Sequence, residues 1–145
     1  MKLVDLNILL YAVNVDAPHH DRIVDWWEGV LNGDETIGLA WPVVVGFLRV
    51  STNPRIFPTP LAPEAAVEQI DDWLRLDVIS VITETRDHWR TLRALLAEAG
   101  VAGNLAADAH LAALAVTRGA TLASCDADFA RFEGLRWENP LRRAE

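Results

Sequence analysis

Apolar positions along the chain change period repeatedly, and each change predicts an element boundary. Lys2-Leu3-Val4-Asp5 reads as a short buried strand. Over residues 7–13 the spacing becomes helical, and the polar stretch 14–18 ends it. A second helix is predicted over residues 19–31, with Ile23, Trp26, Trp27 and Val30 on one face. Asn32-Gly33-Asp34 stops it. Residues 36–40 predict a second strand. Pro42 suits the first turn of the next helix, which continues through Val43, Val44, Phe47, Leu48 and Val50 and ends at Asn53-Pro54. Pro58 and Pro60 make 56–62 a loop.

The second half repeats the alternation. A helix over 64–76 turns Val67, Ile70, Trp73 and Leu74 inward, and 78–82 is a β-branched strand. Thr83 or Thr85 caps a helix carrying Trp89, Leu92, Leu95 and Leu96, and Gly100 and Gly103 mark a break. Residues 105–117 form an alanine-rich helix stopped by Gly119. A strand over 120–124, a turn and short helix over 126–132 and a last strand over 135–137 complete the chain. Strands alternating with helices predict the α/β class: a mainly parallel sheet covered on both faces, in one domain over 1–145.

Ligands in such sheets bind beyond the carboxyl ends of the strands. Asp5 ends the first strand, Asp126 follows the last main strand, and Asp108 lies in the first turn of the helix from Leu105. These acids, with Asp128 beside them, are expected to converge. Buried carboxylates are costly singly and become useful around a divalent cation. An all-oxygen set suits Mg²⁺, with Mn²⁺ as a substitute. Zinc spacing is missing, Cys125 is the one cysteine, and neither a glycine-rich phosphate loop nor a Gly-x-Ser-x-Gly elbow occurs. Activated water is the nucleophile that remains.

Each residue also has a plainer role open to it. Asp108 fits a helix N-terminus, Asp126 and Asp128 fit a cap, and Ser124 fits a local hydrogen-bonder. His19, His20, His88 and His110 show no mutual spacing that argues for a metal, and His110 is expected on a different helix face from Asp108. The tryptophans at 26, 27, 73 and 89 occupy core-like or partner-covered helical positions. Arg49 and Arg55 flank the expected site edge as phosphate contacts. Arg86, Arg90 and Arg93 share a face that is either solvated or an RNA rail.

Composition then narrows the setting. The chain has 145 residues, 51% hydrophobic, and no apolar run near the roughly 20 residues of a membrane helix. With one cysteine and no signal pattern it reads as a cytoplasmic protein. The net charge of −8 repels a polyanion, so RNA would need a local arginine surface and bound metal; of 13 basic residues only Lys2 is a lysine.

Three ordered motifs resemble the PIN-domain ribonucleases, and more closely the VapC toxins. They are Val4-Asp5-Leu6-Asn7-Ile8-Leu9-Leu10-Tyr11-Ala12, Asp108-Ala109-His110-Leu111-Ala112-Ala113-Leu114-Ala115, and Ser124-Cys125-Asp126-Ala127-Asp128-Phe129. Gly46-Phe47-Leu48-Arg49, Thr52-Asn53-Pro54-Arg55 and the tail from Leu135 to Leu141 extend the likeness over nearly the whole chain. The resemblance implies a PIN-like, Rossmann-like fold. It implies a Mg²⁺-dependent endoribonuclease toxin of a type II toxin–antitoxin pair, neutralised by a VapB antitoxin, and toxin homodimers. Asp5, Asp108 and Asp126 match the acidic-site positions and Asp128 a variable additional acid. Ser124 matches a hydroxyl beside the site and Asn7 a polar residue that steadies the first aspartate. Many PIN domains carry a glutamate on the helix after the second strand, where this chain has Gly46. That departure keeps open a catalytically weakened RNA- or protein-binding module. Phosphoryl transfer through Asp5 as nucleophile is a further reading, weakened by Asn7 where a second acid would stand.

Overall fold

The computed structural model describes residues 1–100 and 103–142; the domain expected over 1–145 therefore includes residues outside the described ones. The elements in order are β1 (Lys2–Val4), α1 (Leu6–Val13), α2 (His20–Leu31), β2 (Ile37–Leu39), α3 (Trp41–Ser51) and α4 (Pro63–Leu74). Then come β3 (Ile79–Val81), α5 (His88–Ala99), α6 (Leu105–Thr117), β4 (Thr121–Ala123), a 3₁₀ turn (Ala127–Arg131) and β5 (Trp137–Glu138). All strand pairs are parallel, in the order β3-β2-β1-β4-β5.

This order contains a reversal. From β1 the chain steps outward to β2 and β3, then crosses back to place β4 on the other side of β1. Crossovers of one hand put the helices after β1 and β2 on one face and α5 and α6 on the other. The crevice opens where the direction changes, beyond the carboxyl ends of β1 and β4. Lys2 pairs with Thr121 and Val4 with Ala123, so Asp5 and Ser124 leave the sheet side by side.

Packing fixes that register. Phe47 of α3 meets the edge of Trp73 of α4 with centroids 5.2 Å apart, and Trp73 meets Trp27 of α2 at 5.8 Å. Each such edge contact adds about 0.5–1.5 kcal/mol beyond area burial. On the other face, Ala109, Leu111, Ala112, Ala113, Leu114 and Ala115 of α6 are all buried. Their small side chains let the helix lie close to both α5 and β4.

Several expectations are corrected. Val67 is 51% exposed, because the inward stripe of α4 runs Ala66, Ile70, Trp73 and leaves Val67 a third of a turn away. Trp89 is 66% exposed for the same reason, since α5 turns His88 and Leu95 inward. Neither Thr83 nor Thr85 caps α5; Asp87 occupies that position without a side-chain cap bond. The Thr83 carbonyl instead accepts two bonds from Arg118, at 2.9 and 2.6 Å. The last strand is Trp137–Glu138 rather than 135–137, because Trp137 and Glu138 are the residues that pair with Leu122 and Ala123. Arg86 precedes α5, so only Arg90 and Arg93 of the supposed rail share a helix, and Arg90 pairs with Asp87 at 3.7 Å.

Candidate active site

Asp5 is the N-cap of α1. Its Oδ1 accepts the Leu6 backbone N–H at 2.7 Å. Its Oδ2 accepts the Ser124 hydroxyl at 2.6 Å and the Asn7 amide at 3.1 Å. The fully buried Ser124 Oγ also accepts from Asn7 and from the Asp126 backbone N–H, while Asn7 Oδ1 accepts the Cys125 N–H at 3.2 Å. Asn7 and Ser124 thus tie the end of β1 to the end of β4 through both side-chain and backbone groups. With donors on both oxygens, Asp5 is held as an acceptor, which disfavours its use as a free nucleophile.

The other acids converge beside it. Asp108 projects from the first turn of α6, and Asp126 caps the 3₁₀ turn by accepting the Asp128 N–H at 2.9 Å. Carboxylate oxygens of Asp108, Asp126 and Asp128 all lie within 4.8 Å of one another. Asp5 stands outside that trio yet within electrostatic reach of it. Burial pushes its carboxyl above the ordinary range, the Ser124 and Leu6 bonds pull it down, and Asp126 pushes it up. Asp108 is pushed up to about 6, first by burial and then by the charges of Asp126, Asp5 and Asp128. Mutual repulsion among oxygen donors is the pattern that a hard divalent cation relieves, so the residues present fit Mg²⁺ or Mn²⁺.

A cavity of about 220 Å³ adjoins these groups, lined by Asp5 and Leu6, by Pro42, Val43, Gly46 and Arg49 of α3, and by Ala107, Asp108, His110 and Leu111 of α6. Arg49 therefore reaches the site, whereas Arg55 is exposed on the following loop and does not line the cavity. Gly46 is buried; a Cβ there would lie 2.9 Å from Leu6 Cδ2. Helix α3 thus meets α1 closely at this point and contributes no acid to the trio. Burial and the Asp5 charge raise the Cys125 thiol to about 11, which disfavours its thiolate form.

One constellation escaped the sequence. His88 Nε2 lies 2.9 Å from His110 Nδ1, and Glu84 Oε1 lies 3.3 Å from His110 Nε2, off the N–H axis. Burial and His110 hold His88 below the ordinary imidazole range, with Glu84 opposing. The two histidines are brought together by the pairing of α5 with α6. His110 was expected on a different face from Asp108, yet both line the cavity. No spacing rule could show this, because the partners lie on separate helices.

The PIN domain family model matches residues 2–135. The chain belongs to the PIN domain family, in its VapC branch. It is 44% identical to Ribonuclease VapC37 of Mycobacterium tuberculosis over 140 residues, covering 97% of each chain. Ribonuclease VapC33 of the same species is 38% identical over 142 residues, covering 98% of this chain and 99% of that one. Among solved structures, VapBC2 from Rickettsia felis, bound to a promoter DNA fragment, superposes with a TM-score of 0.70 at 23% identity. That match covers 95% of this chain and 97% of that one, and it shows a shared fold. In this PIN domain no helix of the described residues is long and apolar enough to cross a membrane.

The raised acids set a pH dependence. A carboxyl whose folded pKa lies above its unfolded value favours the folded state at low pH, and that contribution is lost as pH rises through the folded value. For Asp108 the window runs from about 4 to about 6. The metal-free protein is therefore expected to lose part of its stability over that interval. Asp108→Asn should flatten the slope in thermal melts taken in chelator, and an unchanged slope would contradict the assigned repulsion.

Proposed function

We propose that this VapC-type PIN domain is a Mg²⁺-dependent endoribonuclease toxin. The observation that carries the reading is the convergence of Asp108, Asp126 and Asp128 beside Asp5, at the switch point of a parallel sheet. Asp5, Asp108 and Asp126 would hold the cation, with Asp128 as an additional acid beside them. Bound there, the ion activates water and offsets charge on the phosphodiester. Water adds at phosphorus and the bond to the 3′ oxygen breaks, leaving 5′-phosphate and 3′-hydroxyl ends. Ser124 and Asn7 keep the Asp5 carboxylate fixed, which removes a reorganisation cost as the reaction proceeds. Arg49 contacts a phosphate at the cavity rim, and Arg55 contacts the RNA backbone further out.

The partner is a VapB-type antitoxin, in keeping with the VapC relatives. Trp41 and Val45, one turn apart and exposed on α3, and Trp89 on α5 offer apolar surface for an antitoxin helix or for a second toxin copy. The compartment is the cytoplasm, where the RNA is.

Incubation of the purified chain with structured RNAs, with and without Mg²⁺ or Mn²⁺, tests the reading. Cleavage that needs metal and disappears in Asp5→Asn is the expected result. Gly46 favours one other reading, a PIN-like binding module without catalysis. RNA retained by the protein but never cut, at any metal concentration, would establish that alternative.

A further inference from the structure

The cavity between α3 and α6 has a composition that neither metal binding nor phosphate binding explains. Its walls are mostly apolar: Leu6, Pro42, Val43 and Leu111, with the bare backbone of Gly46 between them. At about 220 Å³ it is smaller than the roughly 300 Å³ at which sites for drug-sized ligands begin, and it has room for one small ring system. Its polar lining groups are the Asp5 and Asp108 carboxylates, Arg49 and His110. A phosphate would meet apolar walls and two like charges. A ribose would leave most of its hydroxyls unpaired. A flat group with apolar faces and a polar edge matches the lining.

His110 adds a second observation. Glu84 Oε1 approaches Nε2 at 3.3 Å without a hydrogen bond, and Nδ1 lies 2.9 Å from His88 Nε2. Nδ1 is thereby engaged with α5, and Nε2 is buried without a hydrogen-bond partner. His110 lines the cavity with an imidazole ring tied to α5 through His88. Single-stranded RNA is read by unstacked bases laid against aromatic rings and arginine planes. The His110 ring and Arg49, each among the lining residues, supply both.

We propose that this cavity is a nucleobase slot, which holds one unstacked base of the RNA next to the cleaved phosphodiester. The proposal rests on the ribonuclease reading for its substrate class. Gly46 then has a role as the residue whose missing side chain lets Leu6 pack against α3. Its Cβ would press on the flexible end of Leu6, a wall of the slot. Ala107, exposed on the first turn of α6, lines the mouth.

Two measurements test it. The first is kcat/KM on a short oligoribonucleotide spanning a mapped cleavage site, intact and with single abasic replacements around the cut. Stacking of one base on protein is worth about 10-fold or more in such comparisons. One flanking position should therefore show an abasic penalty of about 10-fold or more. Ala107→Phe and Gly46→Ala should lower the intact rate more than the abasic rate, shrinking the penalty. The second is fluorescence anisotropy of labelled single-stranded oligoadenylate, oligocytidylate and oligouridylate against an abasic backbone of equal length, using Asp126→Asn to block cleavage. Tighter binding of the base-bearing strands, lost in Ala107→Phe, supports the slot even if the wild-type chain cuts nothing, so the two readings fail separately. Efficient cleavage with equal rates on intact and abasic substrates overturns the slot and leaves the nuclease standing. Neither cleavage nor discrimination overturns both.

Discussion

Asp108→Asn and Asp126→Asn should each lower RNA cleavage by about 100-fold or more, the scale on which removing one preorganised electrostatic group acts. Neither change should unfold the protein. Asparagine keeps the shape of aspartate and removes one of the charges that repel each other at the end of the sheet. Melting temperatures without metal are therefore expected to match or exceed wild type. Asp128→Asn should cost less, because Asp128 is exposed on a single 3₁₀ turn whose backbone is held by Asp126 rather than by its own side chain. Kinetics and melts on the three variants decide the matter. An Asp108→Asn protein with wild-type rates beside a dead Asp128→Asn would reverse the roles assigned.

The second large effect is thermal. A cation that binds only the folded chain stabilises it by mass action, about 2.7 kcal/mol at one hundred times its dissociation constant. For a chain of this size that amounts to a rise in melting temperature of roughly 5–10 °C. Mg²⁺ and Mn²⁺ should both produce it, and the Asp108→Asn/Asp126→Asn double variant should lose most of it. Scanning calorimetry with saturating metal and with chelator makes the comparison. Identical curves in the two conditions would remove the case for a cation among these acids.

The sheet and its order of elements were legible because each element has a clean period and a clear stop. The strand at Lys2–Val4 and the helix start beside Pro42 appear where the pattern puts them. Asp5, Asp108 and Asp126 were legible as candidates because strand ends and helix starts point at one crevice in this architecture. What the pattern could not give was rotation within a helix: Val67 and Trp89 are apolar and lie next to the inward stripe, so the period alone does not exclude them. Nor could it give pairings across elements. His88 with His110, and Arg118 with the Thr83 carbonyl, exist only once α5 and α6 lie side by side. Asn7 and Ser124 fell between these cases. Their place near Asp5 was expected, but the network joining them to Cys125 and Asp126 depends on the register of β1 with β4.

Helix α6 is apolar on nearly every side, and it carries Asp108 in its first turn. Segments enclosed in this way open only when the whole domain opens, whereas loops and surface turns open locally at far lower free energy. Asp108 is mounted on a helix whose central residues, Leu111 to Ala115, are buried. Asp128 is mounted on an exposed 3₁₀ turn. Loss of an antitoxin or of metal would leave the first unmoved and the second free to shift, so the toxin would be released with its central carboxylate already in position.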